Sequence, residues 1–191
     1  MVRDFETLLT PVLENAHRVA RHLTRNSADA EDLVQEAALL ALKGFGTFER
    51  GTNFRAWFLR ILVNAFYSNW RKARGAPVSL DDEETPLFLY EQTAAAGLYR
   101  GDSDPAQSFM RQFEAGQISR ALDSLPLEYR SVCTLYFIED LPYQTIATVL
   151  GCPVGTVRSR LHRGRRLLQQ QLWSLAEEAG LVGPRSIAVS V

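Results

Sequence analysis

Residues Tyr143–Arg166 read YQTIATVLGCPVGTVRSRLHRGRR. A short apolar-stepped segment, a turn at Gly151-Cys152-Pro153 and an arginine-rich segment follow one another, which is the order of a helix-turn-helix. Ile146, Ala147 and Leu150 on the first helix are spaced to pack against Val154, Val157 and Leu161 on the second. That packing turns Arg158, Ser159, His162 and Arg163 to the opposite side, near the N-terminal half of the second helix. Such a surface suits a major groove, where each base pair shows its own donor and acceptor pattern. Arg160, Arg165 and Arg166 sit around it and suit phosphates, which set register without reading sequence. No acid lies between Asp140 and Glu177, a gap of 36 residues holding five arginines. Pro142 and Pro153 fit as helix starters.

Working outward, the block holding this motif starts near Ser108. Ile118, Leu122 and Leu125 mark a helix closed by Pro126, and Tyr129 to Phe137 a second. Val154 to about Ala179 is a long final helix. An earlier block also reads as helices. Leu8, Leu9, Val12, Leu13, Ala16, Val19, Ala20 and Leu23 recur three and four apart on one apolar face. Asn26-Ser27 breaks it and caps the next helix. From Asp29 to Lys43, Leu33, Ala37, Leu40 and Ala41 form a stripe expected to be buried, while Asp29, Asp32 and Glu36 share another face. The glycines of Gly44-Phe45-Gly46 are expected to stop this helix. After a loop at 47–53, helix resumes from Phe54 to roughly Arg74.

From Arg55 to Arg74 that helix has no acid, five basic residues, five aromatics and two asparagines. Aromatics interleaved with arginines and amides supply what unstacked bases need: planes to stack on, donors for phosphates and amides for edges. Trp57, Leu59, Ile61, Leu62 and Phe66 are assigned to the core. Arg60, Asn64, Tyr67, Ser68 and Arg71 fall on the other face. The expected fold class is all-α: two small helical domains joined by a flexible acidic linker. The boundaries are 1–74, a linker at 75–111, 112–175, and a tail at 176–191. The linker is rich in Gly and Pro and holds Asp81-Asp82-Glu83-Glu84. Leu87–Tyr90 and the apolar tail from Leu181 are candidate docking elements.

Composition narrows the function classes. The chain has 191 residues, a net charge of −1 and 46% hydrophobic residues, as a folded protein does. The average conceals a pattern. Residues 1–74 carry eleven basic and eight acidic side chains, residues 75–117 two and eight, and residues 118–174 seven and four. Two mildly basic blocks flank an acidic spacer. No apolar run approaches the roughly 20 residues of a membrane span, and the start, Met1 to Glu6, lacks a signal-peptide pattern. The expected location is cytoplasmic. Cys133 and Cys152 read as reduced thiols in or near a core. His17 and His22 are five apart, off metal-ligand spacing, and read as surface residues. No phosphate loop, nucleophile motif or metal cluster is visible, so no catalytic residue, cofactor or metal is expected. On residues alone two classes stay open, a factor that grips both a duplex groove and unstacked bases and a conventional dimeric repressor or activator; an enzyme is the weakest.

Asp29–Ala37 (DAEDLVQEA), Gly51–Trp57 (GTNFRAW) with Arg60 to Asn64, and Pro153–Arg163 (PVGTVRSRLHR) lie in an order and spacing that resemble the extracytoplasmic-function group of bacterial sigma factors. The resemblance covers about residues 5–74 and 112–174. It implies two helical promoter-reading domains, region 2 and region 4, and core RNA polymerase as partner. On that resemblance Asp32, Gln35 and Glu36 are polymerase contacts, with Leu33 behind them. Segment 47–57 resembles the loop and helix start that open DNA and receive a flipped −10 base. Asn53, Arg55, Arg60, Asn64, Tyr67, Ser68 and Arg71 are then candidate single-strand −10 contacts. Arg158, Ser159, His162 and Arg163, flanked by Arg160 and Arg166, resemble the duplex −35 contacts. An anti-sigma factor is implied as a further partner. Phe58-Leu59 departs from the usual Leu-Phe or Leu-Tyr, and the linker and tail match nothing in the group.

Neither block is strongly basic, and phosphate neutralisation supplies most non-specific affinity. The isolated chain is therefore expected to bind duplex promoter DNA poorly. Titrating labelled duplex with the protein alone checks this; tight, sequence-specific binding contradicts it.

Overall fold

The computed structural model describes residues 2–74 and 115–178, and among these every regular element is helical. The first module holds α1 (Val2–Leu9), α2 (Leu13–Thr24), α3 (Ser27–Gly44) and α4 (Phe54–Arg74). The second holds α5 (Ala115–Ser124), α6 (Leu127–Cys133), a π-helical turn (Thr134–Ile138), α7 (Tyr143–Leu150) and α8 (Val154–Glu178). The expected linker and tail, with Leu87–Tyr90, lie outside the described residues.

In the first module α3 packs on both α2 and α4. Phe58, Leu59, Leu62, Val63 and Phe66 of α4 close its core against Val19, Leu23, Leu33 and Val34. Asn26 caps α3 as expected: its Oδ1 accepts from the backbone N–H of Ala28 at 2.8 Å and of Asp29 at 3.3 Å. The preceding residue, Arg25, turns the chain in the left-handed region at φ 60°.

Helix α3 ends at Gly44 as expected, and a 3-10 turn follows at Phe45–Thr47 around buried Phe45. Two expectations differ from the structure. The apolar face of Leu8–Leu23 is not one helix. Pro11 lacks an N–H, and residues Thr10–Val12 tighten into a 3-10 turn between α1 and α2. Leu40 is 43% exposed rather than buried. It lies roughly 80° around the helix from the line through Ala30, Val34, Ala37 and Ala41, given 3.6 residues per turn. Leu39 and Leu42 are exposed beside it.

The helix-turn-helix forms as expected. Ile146 and Ala147 of α7 and Val157 and Leu161 of α8 are buried, with Leu150 and Val154 half-buried. Gly151 takes φ 64°, a turn conformation that glycine adopts at no steric cost. The stretch Val132–Ile138, the most strand-like by composition, closes α6 and opens the π-turn instead.

Helix α8 also crosses α6 closely. A Cβ at Gly164 would stand 2.5 Å from Cys133 Sγ and 3.4 Å from Tyr129 Cβ. Burial pushes the Cys133 thiol up to about 12. Both cysteines are free, Cys133 buried and Cys152 half-buried.

The two modules are in contact. α2 packs on α6 and the π-turn, and α4 packs on α7. Gly164→Ala forces overpacking at the α6–α8 crossing, so a loss of about 1–3 kcal/mol is expected. Urea titration of the variant against the parent chain measures it.

Candidate nucleic-acid interface

The basic face of α8 follows from its own period. Val157, Leu161, Leu168 and Leu172 are buried. Arg158, His162 and Arg166, four residues apart, are exposed on the other side. Ser159, Arg160 and Arg163 are half-buried along the edges of that row. Ser159 Oγ donates to the carbonyl of Thr156 at 3.1 Å. Arg165 departs from the phosphate role. Its guanidinium lies 5.0 Å from the Tyr136 ring centroid and 5.9 Å from that of Phe137, and Nη2 donates to Tyr143 Oη at 3.1 Å. It ties α8 to the π-turn and α7.

On α4, Arg60, Asn64 and Arg71 are exposed and Ser68 is half-buried; Arg71 Nε donates to the Tyr67 carbonyl at 3.2 Å. Three other candidates are engaged elsewhere. Asn53 Oδ1 accepts from Ala56 N–H at 3.1 Å, so this residue caps α4. Arg55 and Tyr67 reach the second module. Tyr67 Oη pairs with Ser131 Oγ at 3.0 Å. Burial raises the Tyr67 phenol above its ordinary range, and the Ser131 hydrogen bond partly opposes this.

Arg55 meets Glu139, a residue that the sequence reading did not single out. The Glu139 side chain has 0% exposure. Its carboxylate accepts from Asn15 Nδ2 at 2.6 Å, from Arg18 Nε at 3.2 Å and from Arg55 Nη2. Arg55 Nη2 also donates to the Glu139 carbonyl at 2.7 Å. Asp140 follows at φ 49°, a left-handed step that turns the chain toward Leu141. The signal in the sequence was an acidic pair closing an apolar run.

Further polar bonds join the modules. His22, expected at the surface, is buried, and its Nδ1 lies 2.8 Å from Asp123 Oδ1. Arg25 Nη2 donates to the Leu125 carbonyl at 2.8 Å. Buried Arg130 donates to the carbonyls of Leu23 and Leu125 at 3.1 and 3.2 Å. Burial lowers its guanidinium to about 10, and the nearby Arg25 adds to the effect.

On α3, Asp32, Gln35 and Glu36 are exposed in a row that continues into Leu39, whereas Leu33 is buried beneath them and belongs to the core. Glu36 Oε2 accepts from Asn69 Nδ2 on α4 at 2.6 Å. Beside loop 51–53 a cavity of about 490 Å³ opens, lined by Leu8, Phe45, Phe48 and Phe54 among others, with the Asp4–Arg50 ion pair at 3.0 Å. No described helix is long and apolar enough to cross a membrane.

An exposed basic helix on a helix-turn-helix, joined to a second helical module with its own arginine–asparagine face, defines a two-module DNA-binding protein. The family model "Sigma-70 region 2" matches residues 8–76, and "Sigma-70, region 4" matches residues 115–168. The chain is 33% identical to the ECF RNA polymerase sigma factor SigE of Mycolicibacterium smegmatis, over 88% of this chain and 62% of that protein. It is 32% identical to the RNA polymerase sigma-H factor of Pseudomonas aeruginosa, over 93% of this chain and 90% of that one. With the ECF RNA polymerase sigma-E factor of Escherichia coli it shares 32% identity, over 86% and 85%. Among solved structures, the sigma factor RpoE of Bartonella quintana, crystallised with the anti-sigma factor NepR, superposes with a TM-score of 0.65 at 26% identity, over 90% of this chain and 98% of that one. CnrH, solved with the cytosolic domain of CnrY, shares the fold at a TM-score of 0.60 and 22% identity, over 91% and 90%. The chain belongs to the sigma-70 family, in its extracytoplasmic-function group, whose members are transcription initiation factors and not enzymes.

The two kinds of arginine on α8 separate by stability. Arg165→Ala is expected to cost about 1–2 kcal/mol through its lost ring and hydroxyl contacts, whereas exposed Arg158→Ala stays within about 0.5 kcal/mol. Thermal melts of the two variants decide between these roles.

Proposed function

We propose that this chain directs core RNA polymerase to a specific set of promoters under a stress or signal, acting in the cytoplasm. Residues 1–74 form the module that docks on polymerase and reads the −10 element as a single strand. Residues 112–175 read the −35 element as duplex, and 75–111 and 176–191 are linker and tail. The observation that carries this reading is the row Arg158, His162, Arg166, exposed over a helix whose opposite side is closed core. Side chains in such a row reach base edges, Arg160 and Arg163 beside it supply further donors, and the Ser159 hydroxyl, which donates to the Thr156 carbonyl, offers an acceptor.

On the first module Asp32, Gln35 and Glu36 dock on the polymerase, held at a fixed angle by Leu33 in the core below. Exposed Leu39, Leu40 and Leu42 extend that surface with apolar area. Arg60, Asn64, Ser68 and Arg71 hold the unpaired −10 strand, and Asn53 contributes by setting the start of α4. The phenylalanine-lined cavity beside loop 51–53 is apolar enough to take an extruded base.

No covalent step is involved. Stacking and pocket contacts of about 1–3 kcal/mol per base offset the cost of unpairing. The polymerase supplies the scaffold: with both modules fixed on it, two weak contacts act together through effective concentration. Arg55 and Tyr67 join the −10 surface only when the modules part. An anti-sigma factor is a second partner in this reading, in line with the Bartonella quintana sigma factor crystallised with the anti-sigma factor NepR.

In vitro transcription with purified core polymerase and a genomic DNA pool tests the reading; no new transcripts would sink it. Arg158→Ala with Arg163→Ala is expected to abolish −35 dependence, a roughly tenfold or greater loss at about 1–3 kcal/mol per base contact, while polymerase binding persists. Glu36→Lys is expected to abolish polymerase binding first.

A further inference from the structure

The cluster around Glu139 belongs to neither reading face. The first module brings three donor residues to one point, Asn15 and Arg18 from α2 and Arg55 from the first turn of α4. All three donate to a carboxylate from the other module. That carboxylate is fully enclosed, yet Arg18 and Arg55 keep 41% and 32% of their side-chain surface. The donors thus sit at the surface of their own module, and what buries the site is the residue inserted into it. Arg55 Nε is buried with no hydrogen-bond partner among the described residues, so the carboxylate does not exhaust the site. Arg18 Nε, Arg55 Nη2 and the Asn15 amide converge on one oxyanion, while Arg18 Nη1 holds Glu14 at 2.9 Å; such charge-assisted donors suit a phosphate as well as a carboxylate. Arg55 begins the helix whose exposed side carries Arg60 and Asn64.

We propose that Asn15, Arg18 and Arg55 form a cradle for a backbone phosphate of the single promoter strand, and that Glu139 is an internal plug occupying this cradle while the modules are packed together. The inference rests on the reading of α4 as the single-strand helix. Strand and plug need the same donors, so each excludes the other, and the second module restrains the first from DNA. Tyr67, paired with Ser131 in the same packing, is withheld with Arg55.

The test uses the full chain, small-angle scattering for module separation and fluorescence anisotropy with a labelled single-stranded −10 oligonucleotide. Glu139→Gln removes the plug's charge; Arg55→Gln removes a cradle donor. Both variants are expected to show a larger radius of gyration than the parent, with the helical circular-dichroism signal retained. Only Glu139→Gln is expected to bind the strand more tightly, about tenfold, since binding scales steeply with the phosphates neutralised. Adding Arg55→Gln to it removes the gain. An open Glu139→Gln chain with no gain, or an equal gain in the double variant, overturns the phosphate site. A Glu139→Gln chain as compact as the parent overturns the plug. On the parent chain itself, saturating oligonucleotide is expected to raise the radius of gyration, and an unchanged value overturns the competition whatever the variants do. Failure of the underlying reading shows separately, as absent transcription by core polymerase with the parent chain.

Discussion

A carboxylate shut away from water persists in a protein only when its charge is balanced and its lone pairs are used. Glu139 meets both conditions with groups from the other half of the chain, Asn15, Arg18 and Arg55. The relative placement of the modules depends on this point. Were the modules to part, three donors and one acid would have to find other partners, water or a ligand. The lesser bonds around it are of the same kind: Tyr67 with Ser131, His22 with Asp123, and Arg25 and Arg130 on the free carbonyls at helix ends. Water can replace each of them at modest net cost. Apolar packing joins the modules as well, since the buried residues around Leu59 and Leu62 and those around Leu122 and Leu161 belong to one continuous cluster.

That packing places polar reading residues under tension between two uses. Arg60, Asn64, Arg158 and His162 face outward in the packed chain. Arg55 and Tyr67 do not; they hold the modules together through Glu139 and Ser131, and on the proposed function these same side chains serve the −10 strand. A factor whose two halves must sit far apart on a larger enzyme gains from being stable when closed and inexpensive to open. Asp32, Gln35 and Glu36 are exposed with three exposed leucines beside them, and in the proposed function this surface takes the polymerase without disturbing that closure.

Much of this was legible in the residues. The period of Val154, Val157 and Leu161 announced the buried side of α8 and so its basic side; the cap at Asn26 and the turn at Gly151 were local chemistry with local outcomes. What escaped was tertiary. His22 read as a surface histidine because nothing near it in sequence is acidic; its partner Asp123 arrives from 101 positions away. Arg165 read like its neighbours because an aromatic partner on the π-turn leaves no periodic mark. Asn53 read as a base contact and serves as a cap. Leu40 read as core because a stripe on a helix has soft edges, and which edge is covered depends on where α2 and α4 lie. Glu139 was hidden most completely, since a lone acid beside Asp140 looks like the solvated end of a helix until a second module closes over it.

The central claim is that a closed chain opens on its polymerase. Single-pair fluorescence transfer between a donor on the exposed side of α4 and an acceptor on the exposed side of α8 measures this directly. One short-distance population is expected for the free protein, replaced by a long-distance population when core polymerase is added. An unaltered short distance in the polymerase complex would contradict it.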